Sequence, residues 1–282
     1  MEKTKAIILA AGLGKRMGGN IPKVMHKIAD KPMINIIISV LESLSIKDIT
    51  AVIGEGFKEL EVLVYPYKIA VQKERLGTGH AVQIAWQNEA DFNGNVLVLF
   101  GDSPMIKAKT LECLIEEHTS QNNAVTVLGF ESDNPGQYGR LLIKDNNLNK
   151  IIEFKDADSK EKAITLCNSG IMCISGKHIN SLLKELDNKN AAKEYYLTQI
   201  VDIANNKRLK CGVMIAADEK EMLGANTFAE LMVLEGIMQN RLKAEALSSG
   251  VKLLSPENIF LSYDAKLEEG SVIEPYVIIK LF

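Results

Sequence analysis
Residues 5–17 read KAIILAAGLGKRM, and Lys23 follows a short way beyond them. Lys5 to Leu9 has the length and β-branched content of a buried strand. Gly12 and Gly14 then leave the strand's end free of side chains, so that backbone N–H groups can approach an anion. Lys15, Arg16 and Lys23 add positive charge where uncharged amides alone would be too weak to hold a developing pyrophosphate. Two better-known glycine loops fail on residues their mechanisms require. The dinucleotide fingerprint wants a third glycine where Met17 stands, and a P-loop wants Ser or Thr where Arg16 stands. The stretch therefore reads as a triphosphate cradle of another kind.

From this strand to about residue 120, strand-like and helix-like segments alternate: KAIILA, INIIISVLESL, DITAVIG, a helix near 57–64, KIAVQ, a helix over 78–90, NVLVLFGD and a helix over 107–119. Such alternation predicts a parallel sheet with helices on both faces, and ligands of such sheets bind beyond the carboxyl ends of the strands. Gly12 and Asp102 both fall at that edge. Residues 123–175 change character, with closely spaced strands between Asn, Asp and Gly turns, and read as an antiparallel insertion. Helices over 176–186 and 195–206 and a strand LKCGVMIA follow. The apolar positions Phe228, Leu231, Leu234, Met238 and Leu242 predict a connecting helix. Leu261, Leu267, Ile273 and Ile279 then recur every six residues, the period of a parallel β-helix.

The chain has 282 residues, 46% of them hydrophobic and 24% charged, with a net charge of −3, which is the composition of an ordinary globular protein. No basic stripe appears, so nucleic acid is not an expected partner. The longest apolar stretch, INIIISVLESL, is too short to span a bilayer, and charged residues run directly into the first strand where a signal peptide would be apolar. A cytoplasmic protein with no membrane partner is expected. Cys113, Cys167, Cys173 and Cys211 form no C-x-x-C pair, and Cys167 and Cys173 would lie about 20 Å apart along one strand, so buried thiols are expected and not a disulfide. The histidines His26, His80, His118 and His178 are scattered and suggest no zinc site.

The ordered motifs LAAGLGKRM (9–17), PKVMH (22–26), QKERLGTGHAV (72–82), GDSPM (101–105), YGR (138–140), EFKDA (153–157), NSG (168–170), EYYLTQIV (194–201) and Asn226 resemble the uridylyltransferase half of the bacterial bifunctional N-acetylglucosamine-1-phosphate uridylyltransferases, within the sugar-nucleotide pyrophosphorylase family. The resemblance covers residues 5 to about 228. It implies a Rossmann-like nucleotidyltransferase fold with a mixed, mainly parallel sheet and an antiparallel sugar-binding lobe over 1–228. A connecting helix over 229–250 and the start of a left-handed β-helix over 251–282 would follow.

The activity implied is transfer of a uridylyl group from UTP to N-acetylglucosamine 1-phosphate, giving UDP-N-acetylglucosamine and pyrophosphate. The sugar phosphate is already anionic, so this chemistry rests on positioning and charge neutralisation and needs no general base. By the resemblance Mg2+ is held by Asp102 and Asn226, while Arg16 and Lys23 stabilise the reacting phosphates. Leu9, Ala10, Ala11, Gly12, Gln72, Gly77 and Thr78 receive the nucleotide, with Gly101 beside Asp102. Gly139, Glu153 and Asn168 contact the amino sugar, and Lys155, expected on the same strand face as Glu153, reaches phosphate. Full-length relatives continue into a trimerising β-helix that acetylates glucosamine 1-phosphate. With residues 251–282 alone, no acetyltransferase activity is expected, and a homotrimer is expected only where the full β-helix is present. Two alternatives stay open at this point: a nucleotidylyltransferase for another sugar 1-phosphate, such as glucose 1-phosphate with UTP or dTTP, and a catalytically silent sugar-nucleotide-binding module.

Overall fold
The computed structural model describes residues 3–18, 21–87, 89, 91–145 and 147–280, with the Lys15 side chain also outside the described set. The first run of elements is β1 (Thr4–Ala10), a small hairpin of β2 (Lys27–Ile28) and β3 (Lys31–Pro32), α1 (Met33–Ser43), β4 (Asp48–Gly54), α2 (Lys58–Val64), β5 (Lys68–Gln72), α3 (Thr78–Ala85), β6 (Asn95–Phe100) and α4 (Ala108–Ser120). The second is β7 (Val125–Glu131), β8 (Gly139–Lys144), β9 (Asn147–Ile152), α5 (Ser159–Lys162), β10 (Leu166–Ser175), α6 (Gly176–Leu183), α7 (Gln199–Asn206) and β11 (Cys211–Ile215). The chain continues through α8 (Phe228–Ser248), β12 (Lys252–Leu253), β13 (Phe260–Leu261), β14 (Val272–Ile273) and β15 (Ile278–Ile279).

The main sheet runs β11-β7-β10-β6-β1-β4-β5, with β8 paired to β10 and β9 to β8. β5, β4, β1 and β6 are mutually parallel, whereas β10 runs antiparallel to both β6 and β7. The sheet is thus mixed and mainly parallel, as expected. Because strand side chains alternate, Ala6, Ile8 and Ala10 of β1 face one core with α1, α2 and α4, while Ile7 and Leu9 face a second with α3, α6 and α7. The expected antiparallel insertion over 123–175 is confined to the β8–β9 hairpin, since β7 and β10 are interior strands of the main sheet.

β10 also carries the irregularity that shapes the site. Its last residues, Met172 to Ser175, pair with β6, but Cys167 and Asn168 pair with β8, and its register against β7 shifts between Asn168 and Met172. The NSG motif fills that bulge. Ser169 Oγ donates to Leu128 O at 2.6 Å and accepts from Ile171 N at 3.1 Å, and Gly170 adopts φ +84°, a conformation glycine takes without strain.

α8 buries Leu234 and Met238 against Met33, Ile36 and Met105, while Phe228, expected on the same face, is half exposed with its ring edge-on to His26 at 5.4 Å. Gln239 pairs with the backbone of Leu261 as a strand would, accepting from its N–H at 3.0 Å and donating to its carbonyl at 2.7 Å. Beyond it, β12 pairs with β14 and β13 with β15, both parallel, and Leu261 lies opposite Ile279. Leu261, Leu267, Ile273 and Ile279 share one small core with Val251 and Ile259. This block is tied to the β2–β3 hairpin by Tyr263 N donating to Ala29 O and by the Lys31–Asp264 ion pair, both 2.8 Å. Among the described residues no helix is long and apolar enough to cross a membrane. All four cysteines are free thiols; three are buried and Cys113 is half-buried.

His118, on α4, is 2% exposed, with Nδ1 2.9 Å from Thr126 Oγ1, and burial brings its pKa down to about 4 from 6.5. The unfolded chain binds a proton on this ring before the folded one does, so stability rises with pH across that window. Its contribution is complete above about pH 6.5 and is lost as pH falls toward 4, amounting to about 3 kcal/mol at 1.36 kcal/mol per unit. Urea denaturation at pH 7 and pH 4.5 should show a drop that shrinks in His118→Gln; an equal drop in both proteins would mean that His118 is not its source.

Candidate active site
The carboxyl ends of β1 and β6 and the loops after them border two adjoining cavities. The first, of about 270 Å³, is bordered by the phosphate-loop residues Leu9, Ala10, Ala11 and Gly12. Lys23, Gln72, Gly77, Thr78 and Asp102 complete the sequence-predicted part of its lining. The second, of about 760 Å³, takes in Arg16, Asp102, Gly139, Glu153, Asn168 and Asn226 from the sequence-predicted set. Thr78, Phe100, Asp102 and Glu194 border both cavities and form their common wall.

The loop geometry follows from its glycines. Gly14 has φ +60°, and a Cβ there would lie 3.0 Å from Lys23 Cβ, so the loop rests directly on the backbone of Lys23. Gly12 has nothing within 4 Å of where a Cβ would stand, leaving room beside its amide. Asp102 follows β6, where Gly101 N donates to Leu9 O at 2.9 Å and prolongs the β1–β6 pairing by one step. Gly101 itself lines neither cavity; a side chain there would strike Val24.

Lys23 joins the two acidic or carbonyl groups of the centre. Its ammonium forms an ion pair with Asp102 Oδ2 and donates to Asn226 Oδ1 at 2.8 Å. Helix capping does not compete for either residue. The N-terminus of α4 is served by Glu221, whose Oε2 accepts from Lys107 N at 3.0 Å, and α8 is capped by Thr227, whose hydroxyl accepts from Glu230 N at 3.2 Å. The side chains of Asp102 and Asn226 therefore remain with Lys23.

In the first cavity Gln72 is 4% exposed, and its amide nitrogen lies 3.1 Å from Gly77 O and 3.2 Å from His80 Nδ1. Donation to a carbonyl fixes the amide's orientation, so its donor end serves the protein and its oxygen is the end left for a ligand. His80 accepts this bond and packs near Tyr195, a structural position. The GTGH turn is pinned to the EYYLT segment by Gly79 N to Tyr195 O and Tyr195 N to Leu76 O, both 2.7 Å, and by Leu197 N to Thr78 Oγ1 at 3.0 Å. These bonds keep Tyr195 and Tyr196 out of the helix, Leu197 and Thr198 turn into it with Thr198 at φ −60° and ψ −23°, and the helix expected from 195 starts at Gln199.

In the second cavity Asn168 Oδ1 accepts from Gly170 N at 2.9 Å, which leaves its amide hydrogens for a ligand. Burial pushes the Glu153 carboxyl above its ordinary range, against the opposing effect of Thr198 Oγ1, which donates to it at 3.0 Å. Lys155 is not on a strand with Glu153. β9 ends at Ile152, and Lys155 sits exposed in the turn that follows and borders neither cavity.

Residues 6–194 match the model of the MobA-like NTP transferase domain. The chain belongs to that NTP transferase family. It is 40% identical over 278 residues to Bifunctional protein GlmU of Paramagnetospirillum magneticum, covering 98% of this chain and 62% of that protein. To Bifunctional protein GlmU of Rhodospirillum rubrum it is 42% identical over 268 residues, covering 95% of this chain and 60% of that protein. The chain thus spans about three-fifths of the length of these curated relatives. In fold it is similar to a Bacillus anthracis structure named for glucose-1-phosphate thymidylyltransferase in complex with a sucrose. That likeness has a TM-score of 0.66 at 20% identity, covering 83% of this chain and 94% of the other.

Sequence reasoning on this NTP transferase missed several residues that the fold brings to the cavities. Arg75, inside QKERLGTGHAV, borders the first cavity and donates through Nε to Ala11 O at 2.8 Å. Phe100 is legible in the sequence only as part of the strand-like segment NVLVLFGD, and Glu194 and Thr198 only as parts of EYYLTQIV. Arg140 of the YGR motif lies behind the second cavity, 2% exposed. Its guanidinium donates to Tyr138 O, to Gly136 O at 3.1 Å and to Lys162 O at 3.2 Å. Arg140→Met removes these bonds and should cost about 2 kcal/mol in denaturant unfolding while speeding amide exchange over residues 136–139. Unchanged exchange there would show that Arg140 does not hold this wall.

Proposed function
We propose that the chain catalyses uridylyl transfer from UTP to N-acetylglucosamine 1-phosphate, forming UDP-N-acetylglucosamine and pyrophosphate. The observation that carries this reading is the common wall: two cavities of different size meet at Asp102, with a phosphate loop on one side and sugar-compatible amide and carboxyl groups on the other. The similarity to the GlmU proteins over nearly the whole chain supports the choice of substrates. UTP would occupy the first cavity, with its base toward Gln72 and its phosphates along Gly12 and Lys23. The amino sugar would occupy the second, with Asn168 and Glu153 reaching hydroxyl or acetamido groups and Gly139 allowing close approach.

An anionic oxygen of the sugar phosphate attacks the α-phosphorus in line. As the new P–O bond forms, the bond to the bridging oxygen breaks and pyrophosphate departs. Lys23 and Arg16 neutralise charge on the reacting groups, and no residue needs to remove a proton. The second cavity carries Asp102, Glu153, Glu194 and Glu230 against Arg16, so an incoming dianion requires additional positive charge. Asp102 and Asn226 suit Mg2+: their oxygens already converge on one cation, the Lys23 ammonium, and both are hard donors. Among the described residues no three His, Cys, Asp or Glu side chains form a metal cluster, so an ion held by this pair would complete its shell with phosphate and water. When bound, it would offset phosphate charge. UTP as substrate and four free thiols fit the cytoplasm.

Pyrophosphate release should be measured with Mg2+ for UTP, dTTP, CTP and GTP against N-acetylglucosamine 1-phosphate, glucose 1-phosphate and glucosamine 1-phosphate. Turnover concentrated on UTP with N-acetylglucosamine 1-phosphate is expected. Preference for another pair would overturn the pocket assignments, and silence throughout would favour a binding module. Asp102→Ala should lower kcat by about 100-fold or more with the fold retained, and Arg16→Ala should lower kcat more than it raises the sugar-phosphate KM. An Asp102→Ala protein with near-normal turnover would contradict this reading.

A further inference from the structure
We propose that Lys23 is the resident cation of the Asp102–Asn226 pair, and that a divalent ion gains the pair only when nucleotide phosphate draws the lysine away. Metal and nucleotide would then bind as coupled ligands, and Lys23 would exclude the metal from the empty site. This inference rests on the metal assignment made above and adds a requirement that the assignment alone does not contain.

The geometry carries it. In the empty site the ammonium takes both oxygens that the metal would need, pairing with Asp102 Oδ2 and lying 2.8 Å from Asn226 Oδ1. The contact is sheltered, with the Lys23 and Asp102 side chains 13% and 21% exposed, so solvent screens it less than a surface pair. Two cations cannot share this carboxylate oxygen closely without strong repulsion, and entry of a divalent ion requires the lysine to leave. The lysine has another place to go. It borders the same cavity as Gly12, where a triphosphate would offer it oxygens of higher negative charge.

Only the side chain needs to move. Gly14 closes on the Lys23 backbone, with its would-be Cβ 3.0 Å from Lys23 Cβ and 3.2 Å from Lys23 Cα. Asp102 is also fixed from behind, because Ala225 N donates to Asp102 O at 3.4 Å and a Cβ on Gly224 would lie 2.9 Å from that oxygen. The oxygens of the pair stay in place while the ammonium exchanges partners. By linkage, the factor by which nucleotide tightens the metal is the factor by which metal tightens the nucleotide.

The test is direct Mn2+ binding, followed by loss of the free-ion electron paramagnetic resonance signal, with and without the unreactive analogue α,β-methylene-UTP. Wild type, Lys23→Met and Asp102→Ala are compared, and the analogue's own Mn2+ binding is subtracted. Without analogue, Lys23→Met should bind Mn2+ about tenfold or more tightly than wild type, and Asp102→Ala should lose the site. The analogue should tighten Mn2+ strongly in wild type and much less in Lys23→Met. Lys23→Gln, which keeps a long side chain without the charge, serves the same purpose if the Met variant does not fold. If the analogue produces Asp102-dependent Mn2+ binding but both lysine variants bind the bare ion no tighter than wild type, the exclusion role is overturned and the metal assignment stands. If no Asp102-dependent binding appears under any condition, the metal assignment fails and the inference falls with it.

Discussion
The site depends on the point at which β10 stops pairing with β6. Antiparallel to both neighbours, β10 bonds to β6 only from Met172 onward, and at the NSG bulge it turns to β8 instead. A continuous strand would have carried the sheet past Phe100 and filled the space above Asp102. The bulge instead separates the β8–β9 hairpin from the parallel strands and leaves the larger cavity between them, with Asn168 and Gly139 paired across its edge. Ser169 makes this stable. Its hydroxyl serves both Leu128 O and Ile171 N, groups that the broken ladder would otherwise leave unpaired.

Electrostatics then binds three distant parts of the chain into one centre. Asp102 is set at the end of an interior strand, where a sheltered carboxylate needs a partner. Lys23 supplies it from the loop after β1, and Asn226 adds its carbonyl from the turn before α8. That turn is held by the backbone of Asp102 itself, and α8 begins on Thr227 in place of Asn226. The long helix is therefore part of the site's frame, and its middle secures the C-terminal coil through Gln239.

What was legible in the sequence is what depends on local pattern. The strand–loop–Gly12 stretch, the alternating elements and the position of Asp102 at a strand end follow from short-range periodicity and turn chemistry, and they fall where expected. What was not legible depends on partners far along the chain. A helix is expected from residue 195, yet backbone bonds to residues 76–79 hold Tyr195 out of it and the helix starts only at Gln199. Glu153 and Lys155 look like alternate residues of one strand, but β9 ends before them and the two side chains diverge. Lys23 was recognised for its charge, whereas its engagement with both Asp102 and Asn226 required three segments to be placed at once. Arg75 and Thr198 stood inside recognised motifs without any local signal separating them from their neighbours.

The two cavities are coupled by backbone and not by a hinge between separate bodies. Gly77 and Thr78 border the first cavity, Leu197 and Thr198 the second, and hydrogen bonds of 2.7–3.0 Å join the two segments. Thr198 passes the connection on to the half-buried Glu153 carboxyl. A ligand that shifts the GTGH turn must therefore shift the EYYLT segment with it, because breaking those bonds would leave sheltered backbone groups unpaired. The linings of the two cavities are thus joined by contacts already made in the empty protein. Phe100, which borders both cavities, is set against Gly170 at the bulge, where a side chain at position 170 would drive into its ring.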